Sequence, residues 1–326
     1  MTGYLARRIL QYVLVLAAAI VLNFALPRLA PGDAVDYLLP PETAGSLTPA
    51  QRNQVLSQFG LDKPVPTQFH NYLSALSRGD LLYSVRYGRP VRDILRQRVG
   101  WTLLLVGGSV VISTLVGTWL GFRSAWRRGT AGDAGVLAGV MLLDSMPAFF
   151  IGLLLILVFS VKLDWLPIFG ALPTVDTTGL ALVAEVLKRL VLPLTTLTLV
   201  SLGPVYLVAR SALVSELQED YVFMAEAKGL TDREVRRHAQ RNALLPLSTV
   251  TLVSLGALVG GATVVETVFS YPGLGRLIYE AVLARDYPVL QGAFLLLALG
   301  VIAANLVNDL LYPLLDPRVR RARAGT

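Results

Sequence analysis

Residues 99–122 read VGWTLLLVGGSVVISTLVGTWLGF, which is 24 consecutive residues without a charged side chain. A helix rises about 1.5 Å per residue, so roughly 20 apolar residues cross the ~30 Å hydrocarbon core of a bilayer. Every backbone amide in that core must find a partner within the protein, and a helix satisfies this condition within one segment. The stretch therefore predicts a transmembrane helix.

Five further stretches have the same character, and one of them is interrupted only by Asp144. They are residues 9–27, 134–161, 190–209, 242–266 and 287–308, the fourth of which ends at Glu266. The composition agrees, because 54% of the residues are hydrophobic and only 16% are charged, whereas a soluble domain has about 25% charged residues. The sequence predicts an all-α, polytopic membrane protein with six transmembrane helices.

The positions of arginine and lysine predict the orientation. With the N-terminus in the cytoplasm, the inside segments carry 15 of the 29 Lys and Arg residues, and the two short outside loops carry 5. Positive residues concentrate on the cytoplasmic side, while a long translocated segment such as 28–98 carries little weight. Both termini are therefore expected in the cytoplasm. The first uncharged run of 19 residues exceeds the usual core of a cleaved signal peptide, so the first span is expected to remain.

The segment 30–98 between the first two spans is expected outside the cell, with short helices. One helix begins at Pro49 and ends at Gly60. A second carries an apolar stripe at helical spacing, which consists of Phe69, Tyr72, Leu73 and Leu76. A third, over 91–98, is amphipathic and is expected to lie on the membrane surface. Two roles stay open for this segment: a cap that packs on the spans, or a docking surface for an extracellular partner.

The largest inside segment, residues 214–246, is dense in charges of both signs. Gly229 divides it into two helical halves, because glycine readily adopts the backbone angles that end a helix. Thr231 and Glu234 have the spacing of a capping box at the start of the second half. Two interpretations stay open: a helix–turn–helix that inserts into the groove of a partner, or a solvated charged loop.

Several classes of function are excluded by missing residues. The chain has no cysteine, and His70 and His238 lie far apart, so no metal site is expected. A phosphate-binding loop needs Gly-Lys-Ser/Thr, but no lysine follows a glycine, so the chain lacks that ATP-binding motif. The absence of His-Glu-x-x-His and of a histidine within a span argues against a zinc protease and an intramembrane hydrolase. The net charge of +7 comes mainly from arginines at membrane borders, so the lipid bilayer is the expected partner and nucleic acid is not.

Asp144 and Glu266 are the ionisable residues expected at membrane depth. A charge is costly there, which makes such residues functional candidates. Each is either a pathway or gate residue or a hydrogen-bonded packing residue, and a proton-coupled transporter would need more groups of this kind. Glycines spaced by four, at 117 and 121 and at 256 and 260, indicate close helix packing.

Residues 220–230 read DYVFMAEAKGL and are followed by His238 and by RNALLP at 241–246. This series resembles the EAA loop of bacterial ABC importer permeases. The seventeen-residue step from Gly229 to Pro246 is similar to the longer loop of dipeptide and oligopeptide permeases, specifically of their first membrane subunit, the B type. Further matches follow in the family's order along the chain: LAPGD at 29–33, GLDKP at 60–64, SMPAF at 145–149, ETVF at 266–269, YPGLG at 271–275, RDYP at 285–288 and DPR at 316–318.

The resemblance implies the fold of a type I ABC importer permease in the bacterial cytoplasmic membrane, and the import of di- or oligopeptides. It also implies partners: a second, paralogous permease, one or two cytoplasmic ATPases, and an extracellular solute-binding protein that delivers the peptide. ATP and Mg would be bound by the ATPases, so the chain itself is expected to hold no cofactor and to be no enzyme. Nickel or haem is an alternative cargo within the family. A stand-alone secondary transporter or channel is the alternative outside it.

The resemblance assigns the parts of the chain as well. The expected parts are 1–29 for the tail and first span, 30–98 for the outer segment, 99–320 for the permease core and 321–326 for a second tail. Residues 214–246 would be the coupling loop that contacts an ATPase, through Asp220, Tyr221, Ala225, Ala227, Lys228, Gly229, Leu230, His238, Arg241, Asn242 and Pro246. The candidates for the translocation pathway or its gate are Asp144, Glu266, Phe269, Tyr271, Pro272, Gly273 and Gly275.

The coupling loop departs from the family pattern at three positions. Phe223 replaces the acidic residue that gives the EAA motif its name, and Met224 occupies an alanine position. Basic residues are frequent in peptide permeases near Phe223 and at the position of Glu226. These departures indicate an ATPase partner that is dedicated to this chain.

Overall fold

The structure is a computed structural model that describes residues 2–29, 35, 45–58, 61–84, 86–173 and 177–315. The expected helix end at Gly60 and the tail 321–326 lie outside the described residues. The side chains of residues 252–261 lie outside them too, so the packing expected of the glycines at 256 and 260 stays a prediction.

Helices make up nearly all of the described chain. The first part contains α1 (Thr2–Leu29), α2 (Pro49–Gln58), α3 (Val65–Ser77) and a short hairpin of β1 (Tyr83–Ser84) and β2 (Arg89–Pro90). The middle part contains α4 (Val91–Trp126), α5 (Ala131–Asp144), α6 (Ala148–Leu155) with its π-helical continuation π1 (Ile156–Lys162), and α7 (Gly179–Glu216). The last part contains α8 (Asp220–Ala227), α9 (Asp232–Val268), α10 (Leu274–Leu283) and α11 (Tyr287–Leu315).

Four of the described helices are long and apolar enough to cross a membrane: α1 over Arg7–Leu26, α4, α7, and α11 over Tyr287–Val307. A fifth crossing is added if α5 and the helix formed by α6 and π1 are one span. The span expected at 242–266 lies within α9, where part of the side chains is outside the described residues. The all-α membrane fold is confirmed, while the count of six spans and the sides of the termini stay predictions.

The stretch 134–161, expected as one continuous span, is broken. Helix α5 ends at Asp144, α6 begins at Ala148, and the two segments meet at 102°. Pro147 is the N-cap residue of α6. Proline has no N–H to donate to the preceding turn and disfavours helical angles at the residue before it, which favours the end of α5 before Pro147. Counting uncharged residues overlooks this break because proline carries no charge.

The chain divides into two compact units, the first of which comprises Met1–Trp101 and Pro272–Ile302. Its core is built from the start of α4, from α10 and from the first turns of α11, through Val91, Ile94, Leu95, Leu274, Leu277, Ala281, Val289, Leu290 and Ala293. Phe69 and Tyr72 of the stripe on α3 pack on α1, where the ring of Phe24 lies 5.0 Å from that of Phe69 and 5.6 Å from that of Tyr72. This packing supports the cap role of the outer segment.

Residues 91–98 do not form the separate surface helix that their amphipathic pattern indicated. They are the first turns of α4. The apolar face of these turns, which contains Val91, Ile94 and Leu95, is at most 3% exposed. The residues that were expected to face a membrane surface therefore pack in the core of the first unit.

The second unit comprises Thr102–Tyr271 and Ala303–Thr326. Helix α7 packs along α9 and also contacts α5 and α6. Glycine brings α4 close to α7, because a Cβ atom built on Gly121 would lie 2.8 Å from the carbonyl oxygen of Tyr206 and 2.9 Å from the backbone nitrogen of Arg210. A Cβ atom at Gly117 would lie 2.9 Å from the Val205 side chain. The close packing predicted for this glycine pair is confirmed.

Candidate functional site

The coupling loop connects α7 to α9 through the short helix α8. Gly229 has a φ of +79°, a left-handed conformation that side-chain-bearing residues rarely adopt, so a glycine is needed for the turn between α8 and α9. The capping box at the start of α9 is confirmed. The carboxylate of Glu234 accepts hydrogen bonds from the Thr231 amide at 2.9 Å and the Thr231 hydroxyl at 2.8 Å, which holds the pKa of Glu234 below its usual value.

Helix α8 is fixed from one side. The hydroxyl of Tyr221 donates to Oε2 of Glu216 at the end of α7, at 2.6 Å. Burial and the Glu216 carboxylate raise the pKa of Tyr221 to about 12. Val222 next to it is only 5% exposed. Tyr221 therefore ties α8 to the end of α7, and α8 also contacts α9.

The opposite face of α8 is exposed. Its exposed residues Asp220, Phe223, Met224 and Ala227 fall at i, i+3, i+4 and i+7, which is one face of a helix. Phe223 is 71% exposed and Met224 is 52% exposed. The coupling loop thus presents two large apolar side chains on a helix that is held from behind.

The remaining residues expected to contact an ATPase differ in their exposure. Lys228, Gly229, His238, Arg241 and Pro246 are exposed, while Ala225, Leu230 and Asn242 are half-buried. Helix α9 begins at Asp232 and continues through Pro246. The second half of the loop is therefore one continuous element with the predicted span that follows.

The far end of α9 carries the gate candidates of the second unit. Glu266 is fully buried, and the hydroxyl of Thr102 in α4 donates to its Oε1 at 2.6 Å. Phe269 and Tyr271 are 2% and 1% exposed. The Tyr271 amide donates to the carbonyl of Glu266 at 2.7 Å, and the Gly170 amide donates to the carbonyl of Phe269 at 3.0 Å. Glu266, Phe269 and Tyr271 thus form one buried group.

Pro272, Gly273 and Gly275 belong to the first unit. Gly273 is the N-cap residue of α10, and Gly275 is buried in the first turn of that helix. Pro272 is half-buried. In the sequence these residues follow Tyr271 directly, and in the structure they form the start of α10.

Asp144 is exposed at the C-terminal end of α5. Its carboxyl group lies against α7 at Gly203, where an added Cβ atom would be 2.7 Å from the carboxyl carbon of Asp144. Gly203 has no glycine four positions away, so the sequence carries no signal of this close contact.

A buried ionic cluster joins three helices of the second unit, and sequence analysis missed it. Arg210 of α7 donates to both carboxylate oxygens of Asp133 of α5, at 2.9 and 2.7 Å. Ser124 of α4 also donates to Asp133, and it is 2.7 Å from the hydroxyl of Tyr206. The only signal in the sequence was a pair of opposite charges, one before the predicted span 134–161 and one after 190–209. Nothing in it indicated that they meet.

Among the described residues, no group of three His, Cys, Asp or Glu side chains could hold a metal ion. A nearly all-helical protein with four or five segments long and apolar enough to cross a membrane, and with an exposed helix–turn–helix formed by α8 and the start of α9, is consistent with a transporter membrane subunit. Comparison with known proteins supports this class.

A family model described as "Binding-protein-dependent transport system inner membrane component" matches residues 113–321. The chain belongs to this family, whose members are components of the bacterial inner membrane.

Relatives cover nearly the whole chain. It is 36% identical to the di/tripeptide transport system permease protein DppB of Pseudomonas aeruginosa, over 99% of this chain and 100% of that protein. It is 32% identical to the oligopeptide transport system permease protein AppB of Bacillus subtilis, over 98% of this chain and 99% of that protein. The inward-facing MetNI methionine ABC transporter shares the fold, with a TM-score of 0.55, 19% identity, and coverage of 68% of this chain and 96% of that chain.

Proposed function

We propose that the chain is the permease subunit of an ATP-driven importer of di- or oligopeptides and forms half of the translocation pathway. The observation that carries this proposal is the full-length similarity to a di/tripeptide and to an oligopeptide permease. The departures at Phe223, Met224 and Glu226 concern the coupling loop and do not bear on the cargo.

In this proposal, the energy for transport comes from another protein. The chain has no Gly-Lys-Ser/Thr sequence that could place a lysine on ATP phosphates. The assembled importer would therefore contain one or two cytoplasmic ATPases that bind ATP and Mg. A paralogous permease would complete the pathway, and an extracellular solute-binding protein would deliver the peptide. The chain itself would catalyse no reaction.

The coupling loop is the part of the chain suited to receive the motion of an ATPase. Helix α8 is hydrogen-bonded through Tyr221 to the end of α7, and it contacts α9. A displacement of α8 would therefore move both long helices. ATP favours a closed ATPase pair, and this preference can shift the membrane subunits between two states only if α8 differs in position between them.

Helix α9 connects the coupling loop to the gate candidates. It runs without interruption over 37 residues, or about 55 Å at 1.5 Å per residue. His238, Arg241 and Pro246 lie near its start, and Glu266 lies near its end. We infer that α9 transmits ATP-driven movement along its length to Glu266, Phe269 and Tyr271, and that the turn over Tyr271, Pro272, Gly273 and Gly275 opens and closes the outer side.

The proposal is tested with the complete importer in proteoliposomes. The chain is purified together with the paralogous permease, the ATPases and the solute-binding protein of its importer, and ATP hydrolysis is measured. Peptide-loaded binding protein should raise hydrolysis several-fold over peptide-free binding protein. Equal hydrolysis under both conditions, in a complex of the correct composition, would contradict the proposed function.

A further inference from the structure

The exposed face of α8 is apolar at its centre. Phe223 and Met224 are adjacent and project from the same face, with 71% and 52% of their surfaces exposed. Exposed apolar side chains are common singly, but two large ones on one face of an eight-residue helix indicate an interaction surface. Aromatic residues and methionine are enriched at the centres of protein interfaces.

The helix that presents these side chains is positioned before any partner arrives. Val222 is buried behind Phe223, and Tyr221 is hydrogen-bonded to Glu216. A partner therefore does not need to order the backbone on binding, which removes part of the entropic cost of association. Met224 has a flexible thioether side chain that adapts to the shape of a pocket.

The charges around this face are mainly acidic. Glu219, Asp220 and Glu226 are exposed on or beside α8, and Lys228 is the exposed basic residue at its end. The arginines of the coupling loop lie beyond Gly229, on α9. A protein surface that complements α8 would therefore be apolar at its centre and basic at its edge.

We propose that Phe223 and Met224 form a two-residue apolar anchor that enters a basic-rimmed pocket on the partner ATPase. This inference rests on the proposed function, which brings an ATPase to the coupling loop, and it specifies the chemistry of that ATPase. Phe223 and Met224 then account for most of the binding free energy of α8, and the acidic residues select an ATPase with a basic rim. An ATPase whose pocket carries acidic groups, and therefore suits a permease with a basic coupling loop, would not bind α8 of this chain.

The first test uses the absence of cysteine from the chain, so that each single-cysteine variant reports one position. Phe223→Cys and Met224→Cys are compared with Glu226→Cys, which lies at the edge of the same helix. Maleimide labelling is measured for the chain alone in lipid nanodiscs and for the complete complex. The ATPase should slow labelling at 223 and 224 about 10-fold or more and slow it less at 226, because the centre of an interface excludes water and its rim does not.

The second test measures affinity of the purified ATPase for the chain in nanodiscs. Phe223→Ala should weaken binding about 30-fold, as expected for a central aromatic residue. Phe169→Ala is the matched control, since Phe169 is also exposed (56%) but lies between π1 and α7. It should leave the affinity unchanged. Glu226→Arg should weaken binding several-fold at low salt and less at high salt, because exposed charges are screened.

The outcomes separate this inference from the function on which it rests. Protection at 226 and at an Arg237→Cys position, without protection at 223 and 224, would overturn the anchor and leave the proposed function intact. No protection anywhere over 214–246 would contradict the proposed function itself. If the chain alone in nanodiscs is labelled at 223 and 224 as slowly as the complete complex is, the bilayer covers these two residues, and the anchor is overturned. An unchanged affinity for Phe223→Ala would overturn it as well.

Discussion

Asp133 and Arg210 form a bidentate ion pair in which the side chains are only 6% and 22% exposed. A buried ion pair adds little net stability, because desolvation of both charges offsets their attraction. Removing one partner is nevertheless costly, since the other charge stays behind without compensation. Asp133 therefore adds little net stability of its own. Its role is to supply the counter-charge that Arg210 of α7 needs where it is buried against α4 and α5.

Asp133→Asn tests this pair. Asparagine retains an acceptor for Ser124 but leaves Arg210 without its counter-charge, so we expect a loss of about 3 kcal/mol. The midpoint of thermal unfolding, followed by tryptophan fluorescence of the purified chain in detergent, should fall by about 5 °C or more. The control is Asp93→Asn, whose partner Arg92 is at 3.7 Å and mostly exposed. Equal midpoints for both variants would show that the buried pair is dispensable.

Glu266→Gln tests the gate. Glutamine keeps the oxygen that accepts the 2.6 Å hydrogen bond from Thr102, so packing and membrane insertion should survive while the ionisable group is lost. We expect peptide uptake by cells to fall severalfold at an unchanged amount of assembled complex. Uptake and complex level are measured in the same cells, by radiolabelled peptide and by immunoblot.

Thr102→Val is the companion variant, because it removes the hydrogen bond and keeps the carboxyl group. If both variants lower the amount of complex equally, the pair has a packing role. If Glu266→Gln transports peptide at the wild-type rate with a wild-type amount of complex, Glu266 does not belong to the pathway.

At the scale of elements, uncharged runs located the long helices but not their ends. The run 190–209 lies inside the 38-residue α7. The helix is longer than the run because its helical hydrogen bonds continue through the turns with polar residues at both ends. The run 134–161 contains the break at Pro147, which a count of charges cannot register. The capping box at Thr231 and Glu234 was predicted correctly because it depends on a local spacing and needs no tertiary contact.

Gly121→Ala tests the contact of α4 with α7. The new methyl group would meet backbone atoms of Tyr206 and Arg210 at 2.8 and 2.9 Å, and these atoms can yield only if the helices separate. We expect a loss of about 1–3 kcal/mol, as for other overpacked sites. Gly107→Ala on the same helix is the control, since nothing lies within 4 Å of its added Cβ atom. It should be neutral or slightly stabilising. The midpoint of thermal unfolding is measured for both variants and should be lower for Gly121→Ala than for Gly107→Ala.

Gly229→Glu tests the turn of the coupling loop. A residue with a side chain at φ +79° is strained, by about 1–2 kcal/mol, so the angle between α8 and α9 should change. We expect peptide uptake to fall to background while the chain still inserts into the membrane in normal amounts. Gly79→Glu is the control, because Gly79 has a φ of +72° and open space around it but lies outside the coupling loop. Uptake at the wild-type rate by Gly229→Glu would show that this turn has no coupling role.

At the scale of the whole molecule, the sequence predicted segments better than it predicted contacts. The family was evident from motifs that are local in the chain, while the coupling role of residues 214–246 stays a prediction. The exposed face of Phe223 and Met224 could not be foreseen, because exposure depends on which side of α8 meets α7 and α9. The cluster of Asp133, Arg210 and Ser124 depends on three helices meeting, and the spacing of residues along one chain carries no information on that meeting.

In the proposed mechanism, the chain conducts peptide only when a separate ATPase drives it. The most direct measurement is uptake of labelled tripeptide into proteoliposomes that contain either this chain alone or the full complex with its binding protein. Our account predicts uptake by the full complex with ATP, none by the complex without ATP, and none by the chain alone under a peptide gradient. Peptide entry through the chain alone would contradict it and would identify a stand-alone transporter or channel.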